Sequence, residues 1–360
     1  MTFPASLSRT EHILILLALA VIIILGMQMM GSTVTIFLVA LILTMLFYPA
    51  ARWLRSKGLS NIAAVSIVTT VAALCIVLMA FLTLFSFNMI VTDLPQYQTE
   101  LEMRFNEISS FLGTQNISLN AIVSTPPDLE TVIPALLSSI KNFTQLLMDI
   151  FFVAITTFFM LLEAPQLIER AKGLLRDEPE KLRHLSRMSG YVIDFIVVRT
   201  ETNLIHGVLF GGSLWVIGVH GAILWGVLTF ILCYIPFFGL IIAAIPAIFF
   251  AWLQFGIPGV AAVVIIVCLL NLIVENPVFS WLAARKFEIP ALVVILSVIF
   301  WGWLFGLVGM LFSVPFTMIL LTFVQFSDDL RWINTLIGAE NLFVDNITPP
   351  DTVPDKKTDL

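Results

Sequence analysis

A run of apolar residues from about Ile289 to Phe326 carries no ionisable side chain between Glu288 and Asp328. As one helix it would be close to twice the length needed to cross a hydrocarbon core of about 30 Å. Its middle holds Gly302, Gly306 and Gly309, and Pro315 follows. The pattern predicts two helical arms joined by a glycine-rich break. Backbone broken inside a bilayer must be shielded by protein or face water, because lipid cannot hydrogen-bond the freed amides. Two readings stay open at this point. The run is either a re-entrant hairpin ending deep in the membrane, or a turn between two full spans with Trp301 and Trp303 as interfacial anchors.

A second interruption lies upstream. The segments Ala222–Ile235 and Gly239–Phe255 flank Tyr234-Ile-Pro-Phe-Phe-Gly239, and Pro246 falls in the second of them. About fourteen residues reach only about 21 Å as a helix, short of a crossing. Composition agrees with a membrane setting: 59% of residues are hydrophobic and 12% charged, against roughly 25% charged in soluble domains. The expectation is an all-α, polytopic membrane protein with about seven to eight membrane-embedded helical segments. Two of its hairpins are broken by glycine and proline, and a small helical subdomain lies outside the cytoplasm.

Taken in order, residues 1–87 form a three-span unit, with a first hairpin joined at Gly31-Ser32. Arg52, Arg55 and Lys57 mark a cytoplasmic turn, which puts the amino terminus in the cytoplasm as well. Residues 88–142 are more polar and acidic and form the extracytoplasmic helical subdomain, with Leu94, Tyr97, Leu101, Phe105, Ile108 and Leu112 at helical spacing. It packs on itself or on neighbouring subunits. Residues 143–162 are a fourth span. Residues 163–200 hold a basic cytoplasmic loop and then a helix lying in the interface, whose stripe is Leu185, Met188, Val192, Phe195 and Val198. Residues 201–327 carry both broken hairpins, and 328–360 form a polar tail.

Ionisable groups at membrane depth are the first functional candidates, because they are costly there unless paired or wet. Glu275 and Asn276, with Asn271 one turn earlier on the same helix face, form one cluster suited to a cation or proton. The alternative is a helix end with Glu275 paired to Arg285 or Lys286. Glu201, Asn203 and His206 form a second cluster, in which His206 is either a proton relay or a hydrogen-bonded interior imidazole. Glu201 with Arg199 reads as a membrane boundary. The residues expected to line a path are Tyr234, Pro236, Gly239, Pro246, Gly302, Gly306, Gly309 and Pro315. Gly211-Gly-Ser213 on one face suits close packing between helices, here expected to serve a homo-oligomer.

Four segments carry a resemblance: Phe158-Phe-Met-Leu-Leu-Glu-Ala-Pro-Gln-Leu167, Tyr234-Ile-Pro-Phe-Phe-Gly239 with Ile245-Pro246, Pro290-Ala-Leu-Val-Val-Ile-Leu-Ser-Val-Ile-Phe300, and Phe300 through Thr317. In this order they resemble the autoinducer-2 exporter family, bacterial permease-like proteins, over about Ile13 to Phe326. The family's middle motif has asparagine at the positions of Cys233 and Phe237, and proline at that of Leu307. The resemblance implies export of a small signal molecule or related metabolite across the bacterial inner membrane. It also admits sodium- or lithium-for-proton antiport.

No nucleotide-binding glycine loop, zinc-protease helix or serine-hydrolase elbow is present. Four histidines and three cysteines without clustering argue against a metal site. No basic face suited to nucleic acid is present outside the cytoplasmic loops. The reading is therefore a transporter without enzymatic activity or cofactor, whose partners are a small molecule or a monovalent cation or proton, the lipid bilayer and further copies of itself. A non-transporting scaffold or channel is the alternative class.

Overall fold

The computed structural model describes residues 9–114, 143–278, 290–326 and 337. Among them the chain is built from eleven α-helices and no strand. The first part comprises α1 (Arg9–Met29), α2 (Gly31–Ser56), α3 (Asn61–Asp93), a short 3-10 turn (Leu94–Tyr97), α4 (Gln98–Thr114) and α5 (Phe143–Leu174). The second part is α6 (Pro179–Ile217), α7 (Ala222–Leu232), α8 (Gly239–Phe255), α9 (Ile257–Leu270) with a π-helical continuation (Asn271–Val278), α10 (Ala291–Leu311) and α11 (Ser313–Phe326). The second half of the expected extracytoplasmic subdomain, Arg285, Lys286 and Glu288 lie outside the described residues, as does nearly all of the polar tail.

Among the described residues, five helices are long and apolar enough to cross a membrane: α2, α3, α5, α9 with its continuation to Val274, and α10. The last of these reaches that length only across a break. Gly306 has φ 63° and ψ −144°, a conformation closed to residues with a Cβ. It ends a first arm, and the chain turns back through Phe312 into α11. The result is a hairpin, fastened across its arms by a buried polar chain. Trp301 Nε1 donates to Thr317 Oγ1 at 2.9 Å, and Thr317 donates to Ser297 Oγ at 2.8 Å. Ser297 in turn donates to the Val293 carbonyl at 2.6 Å. Trp301 is thus an internal strut and not an interfacial anchor, whereas Trp303 is exposed. A Cβ on Gly309 would collide with the Trp301 carbonyl, so the return arm can lie against the first only with glycine there.

The upstream hairpin uses the same device. Its feet are adjacent, since the His220 N–H donates to Gln254 Oε1 at 3.0 Å. Its arms, α7 and α8, have 11 and 17 residues, about 16 and 25 Å, and neither reaches across a 30 Å core. Both leave from one end of the bundle and meet at a tip spanning Cys233 to Phe238. A Cβ on Gly239 would collide with the Leu232 carbonyl. Phe237 at the tip has φ 65°, a left-handed conformation that is a genuine outlier for a bulky side chain. Its ring is 54% exposed.

Three expectations are revised. The interfacial helix and the span after it are one unbroken helix of 39 residues, α6, about 58 Å long. Its stripe of Met188, Val192 and Ile196 is buried against Trp301, Val314 and Phe316 of the second hairpin and does not lie in an interface. No glycine or proline interrupts residues 191–206, so nothing stops the helix. The fourth span likewise runs through Pro165 to Leu174. In the described part of the segment expected to form an extracytoplasmic subdomain, Tyr97 and Leu101 do not pack on a self-contained core. They join Trp225 and Phe250 at the base of the first hairpin.

Where α6 crosses α7, backbones touch. A Cβ on Gly226 would sit 2.8 Å from the Gly207 carbonyl and 3.1 Å from the Gly211 Cα. Gly211, expected to serve contacts between copies, is used inside the chain, while Gly212 has open space. Gly226→Val is expected to lower stability by about 1–3 kcal/mol through overpacking, whereas Gly212→Ala is neutral or slightly stabilising. Thermal unfolding in detergent checks the pair. Phe237→Asn relieves the tip conformation and is expected to raise stability by about 1 kcal/mol, seen as a higher unfolding temperature in the same assay.

Candidate functional site

The site grows from one face of α6. Val192, Ile196, Arg199, Asn203, His206, Phe210 and Leu214 recur at three- and four-residue spacing, and all are buried. The two ends of this stripe are apolar and its middle is polar. Each end is covered by a different hairpin. Phe210 and Leu214 belong to the cluster with Trp225, Ala247 and Phe250 of the first hairpin. Val192 and Ile196 belong to the cluster with Trp301 and Phe316 of the second. The hairpins also touch each other. Leu232 and Ile235 beside the first tip pack with Val298, Met310 and Leu311 of the second. Arg199, Thr202, Asn203 and His206 lie on α6 between the two covered ends.

Hydrogen bonds fix the first tip onto this polar middle. Thr200 Oγ1 donates to the Ile196 carbonyl at 2.6 Å. Its one proton being used there, the Tyr234 hydroxyl is the donor in the 2.6 Å contact between the two side chains. The amide of Asn203, oriented to satisfy both neighbours, donates to the Arg199 carbonyl at 3.2 Å and accepts the Tyr234 N–H at 3.1 Å. Asn203 therefore shares the Tyr234 N–H with the Ile231 carbonyl, which lies 3.3 Å from it, and ties the hairpin tip to α6. Thr229 on α7 is fully buried, and its hydroxyl has no hydrogen-bond partner among the described residues. Ser313 at the start of α11 is in the same state. Such groups are uncommon in a finished core and ask for a reason.

Of the candidates read from sequence, Asn203, His206 and Tyr234 come together here. Pro236 and Gly239 are buried at the tip, and Pro246 is half-buried in the interior of α8. Gly302, Gly309 and Pro315 are buried within the second hairpin, and Gly306 is exposed at its break. Pro315 occupies the first turn of α11, where its missing N–H costs nothing. Glu201 points away from the stripe and is exposed. Asn271 is exposed at the start of the π-helical stretch. Glu275 and Asn276 fall within that stretch, and their side chains lie outside the described residues. Among the described residues no three metal-ligating side chains gather.

Sequence reasoning missed Arg199, which is 5% exposed. Its distance of four and seven residues from Asn203 and His206 was a usable signal, because those spacings share a helix face. Nothing in the sequence marked Thr229 or the Trp301–Thr317–Ser297 chain, whose members meet only through the turn of each hairpin.

Comparison with known proteins agrees with this architecture. The chain is 30% identical over 311 residues to the AI-2 transport protein TqsA of Escherichia coli K12, covering 85% of this chain and 90% of that one. It is 29% identical over 331 residues to a "Putative transport protein" of Haemophilus influenzae, covering 89% and 94%. It is 26% identical to the "Putative transport protein YhhT" of Escherichia coli K12, covering 85% and 88%. The family model of the AI-2E family transporter matches residues 13–328, which takes in the five long apolar helices and both hairpins described above. The chain is a multi-pass membrane protein and belongs to the AI-2E transporter family.

Proposed function

We propose that the protein is a secondary or facilitated exporter of a small, oxygen-rich solute in the bacterial inner membrane, with its amino terminus in the cytoplasm. The observation that carries this reading is the convergence of two broken hairpins on the polar middle of α6. Guanidinium, amide, imidazole and hydroxyl groups gather there, on or beside Arg199, Asn203, His206, Thr229 and Tyr234. Charged and hydrogen-bonding groups are retained at such depth where they meet a solute or a proton. A donor-rich site of this kind suits hydroxylated or anionic molecules, the chemistry of an autoinducer-2-like signal. The tips would open in turn to either face, and Gly306 and Phe237, both at φ near +64°, mark the backbone that bends. The homo-oligomer would form through α3 and α5, whose apolar faces lie largely uncovered.

A second reading, sodium- or lithium-for-proton antiport, draws on Glu275. That residue lies in the π-helical stretch Asn271–Val278, and π-turns gather at functional sites. Flux into and out of proteoliposomes separates the two. Asn203→Ala is expected to slow uptake of a labelled solute by about tenfold or more, the loss of one or two buried hydrogen bonds, while the protein remains monodisperse. Retained flux in that variant removes α6 from the path. Glu275→Gln is expected to abolish accumulation driven by a proton gradient while leaving downhill exchange intact. An imposed pH gradient dissipated by sodium or lithium alone, with no organic solute present, decides for the antiporter.

A further inference from the structure

A second polar cluster, away from the α6 stripe, joins three parts of the chain at the base of the first hairpin. Asp93, the last residue of α3, reaches His220 with Oδ2 3.0 Å from Nε2. His220 lies in the link between α6 and α7. Its N–H donates to Gln254 Oε1 at the end of α8, at 3.0 Å, and its carbonyl accepts the Trp225 indole N–H at 2.9 Å. Gln254 Nε2 donates to the Tyr97 hydroxyl at 3.1 Å. The Tyr97 ring stands edge-on to both His220 and Phe250, with centroids 5.8 Å away in each case. Farther along α4, Arg104 Nη1 meets Glu107 at 2.9 Å, and Arg104 Nε reaches the Leu253 carbonyl at 3.5 Å. The guanidinium lies against Gly256, where an added Cβ would come within 2.9 Å of it.

The α4 arm is therefore held on the hairpin by contacts of two kinds. Tyr97, Leu101 and Arg104 bind it by packing and by a permanently charged group. The Asp93–His220 contact alone among these changes character with a proton. Imidazole is the side-chain type that gains and loses charge between about pH 5 and 8. Protonated, it forms an ion pair with the carboxylate, and neutral, it offers one hydrogen bond at most. The charged and titratable groups on this face are Asp93 from α3, Tyr97 from the 3-10 turn, and Glu100, Arg104 and Glu107 from α4, while α8 supplies the neutral Gln254. Burial raises the Tyr97 hydroxyl above its ordinary value of 10, the Gln254 hydrogen bond opposes this, and the Asp93 and Glu100 charges reinforce it. Tyr97 stays neutral throughout, so the Asp93–His220 contact, at 3.0 Å, is the one on this face that pairs a carboxylate with an imidazole. The two partners are 26% and 34% exposed, so protons from solvent reach them.

We propose that His220 and Asp93 form a proton-binding site that fastens the α4 arm to the base of the first hairpin when occupied and loosens it when empty. The site is separate from the stripe on α6 and does not depend on which solute is carried.

Amide hydrogen exchange of the full-length protein in lipid nanodiscs, at pH 5.5 and 8.0 after correction for intrinsic rates, tests this. Peptides covering Gln98–Thr114 are expected to exchange about two- to fivefold more slowly at the acid pH, the range for a partly exposed ion pair. His220→Gln and Asp93→Asn are each expected to abolish the difference. His220→Lys, a cation at both pH values, is expected to give slow exchange at both, and it keeps the test decisive should the other variants fold poorly. Equal exchange at the two pH values in the wild type, or a difference that survives His220→Gln, overturns the proposal.

Discussion

The architecture depends on one requirement: a helix that stops within a bilayer frees amide groups, and something other than lipid must take them up. In this chain α6 performs that task. The N–H of Tyr234, just past the end of α7, is shared between the Ile231 carbonyl and Asn203, and the hydroxyl of the same tyrosine is accepted by Thr200. A polar residue at the middle of a long buried helix would otherwise be a liability. Here it is a partner for the turn of the first hairpin. The second hairpin is fastened across its arms by side chains, in the chain from Trp301 through Thr317 and Ser297 to the Val293 carbonyl.

Two consequences follow for packing. The hairpins must lie close to α6, and close approach leaves no room for side chains at the crossing, so Gly207, Gly211 and Gly226 form a bare contact between backbones. Dispersion between small residues and mutual burial, more than hydrophobic transfer, hold such helices together in lipid. The apolar ends of the α6 stripe then gather a hairpin each. A single 39-residue helix is in this way the common wall of both.

Much of this was legible from residue order. Glycines at 239, 302, 306 and 309 announced breaks because no other residue combines a missing Cβ with freedom at positive φ, and the structure uses Gly239 and Gly309 for the first property and Gly306 for the second. The short segments Ala222–Ile235 and Gly239–Phe255 likewise suggested a hairpin of short arms, which have 11 and 17 residues in the structure. The continuity of α6 was not legible. A basic stretch followed by an amphipathic one looks the same whether the helix lies flat or stands upright, and only the docking of Trp301 and Phe316 against Val192 and Ile196 decides between them. Arg199 was misread for the same reason, since a charge near a supposed helix end looks like a boundary marker. The docking of α4 on the first hairpin rests on Tyr97 meeting Phe250, 153 positions later in the chain, which local periodicity does not encode.

The placement of the polar stripe bears on membrane potential. Asn203 lies 14 positions before the end of α6 at Ile217, about 21 Å along the helix axis. The full transmembrane field does work of about 2.3 kcal/mol on an elementary charge per 100 mV. An ion seated beside Asn203 would divide that work between an entry step and an exit step. A neutral solute at the same place would feel none of it, so under the proposed path the voltage dependence of each half of the cycle would report the charge of what is carried.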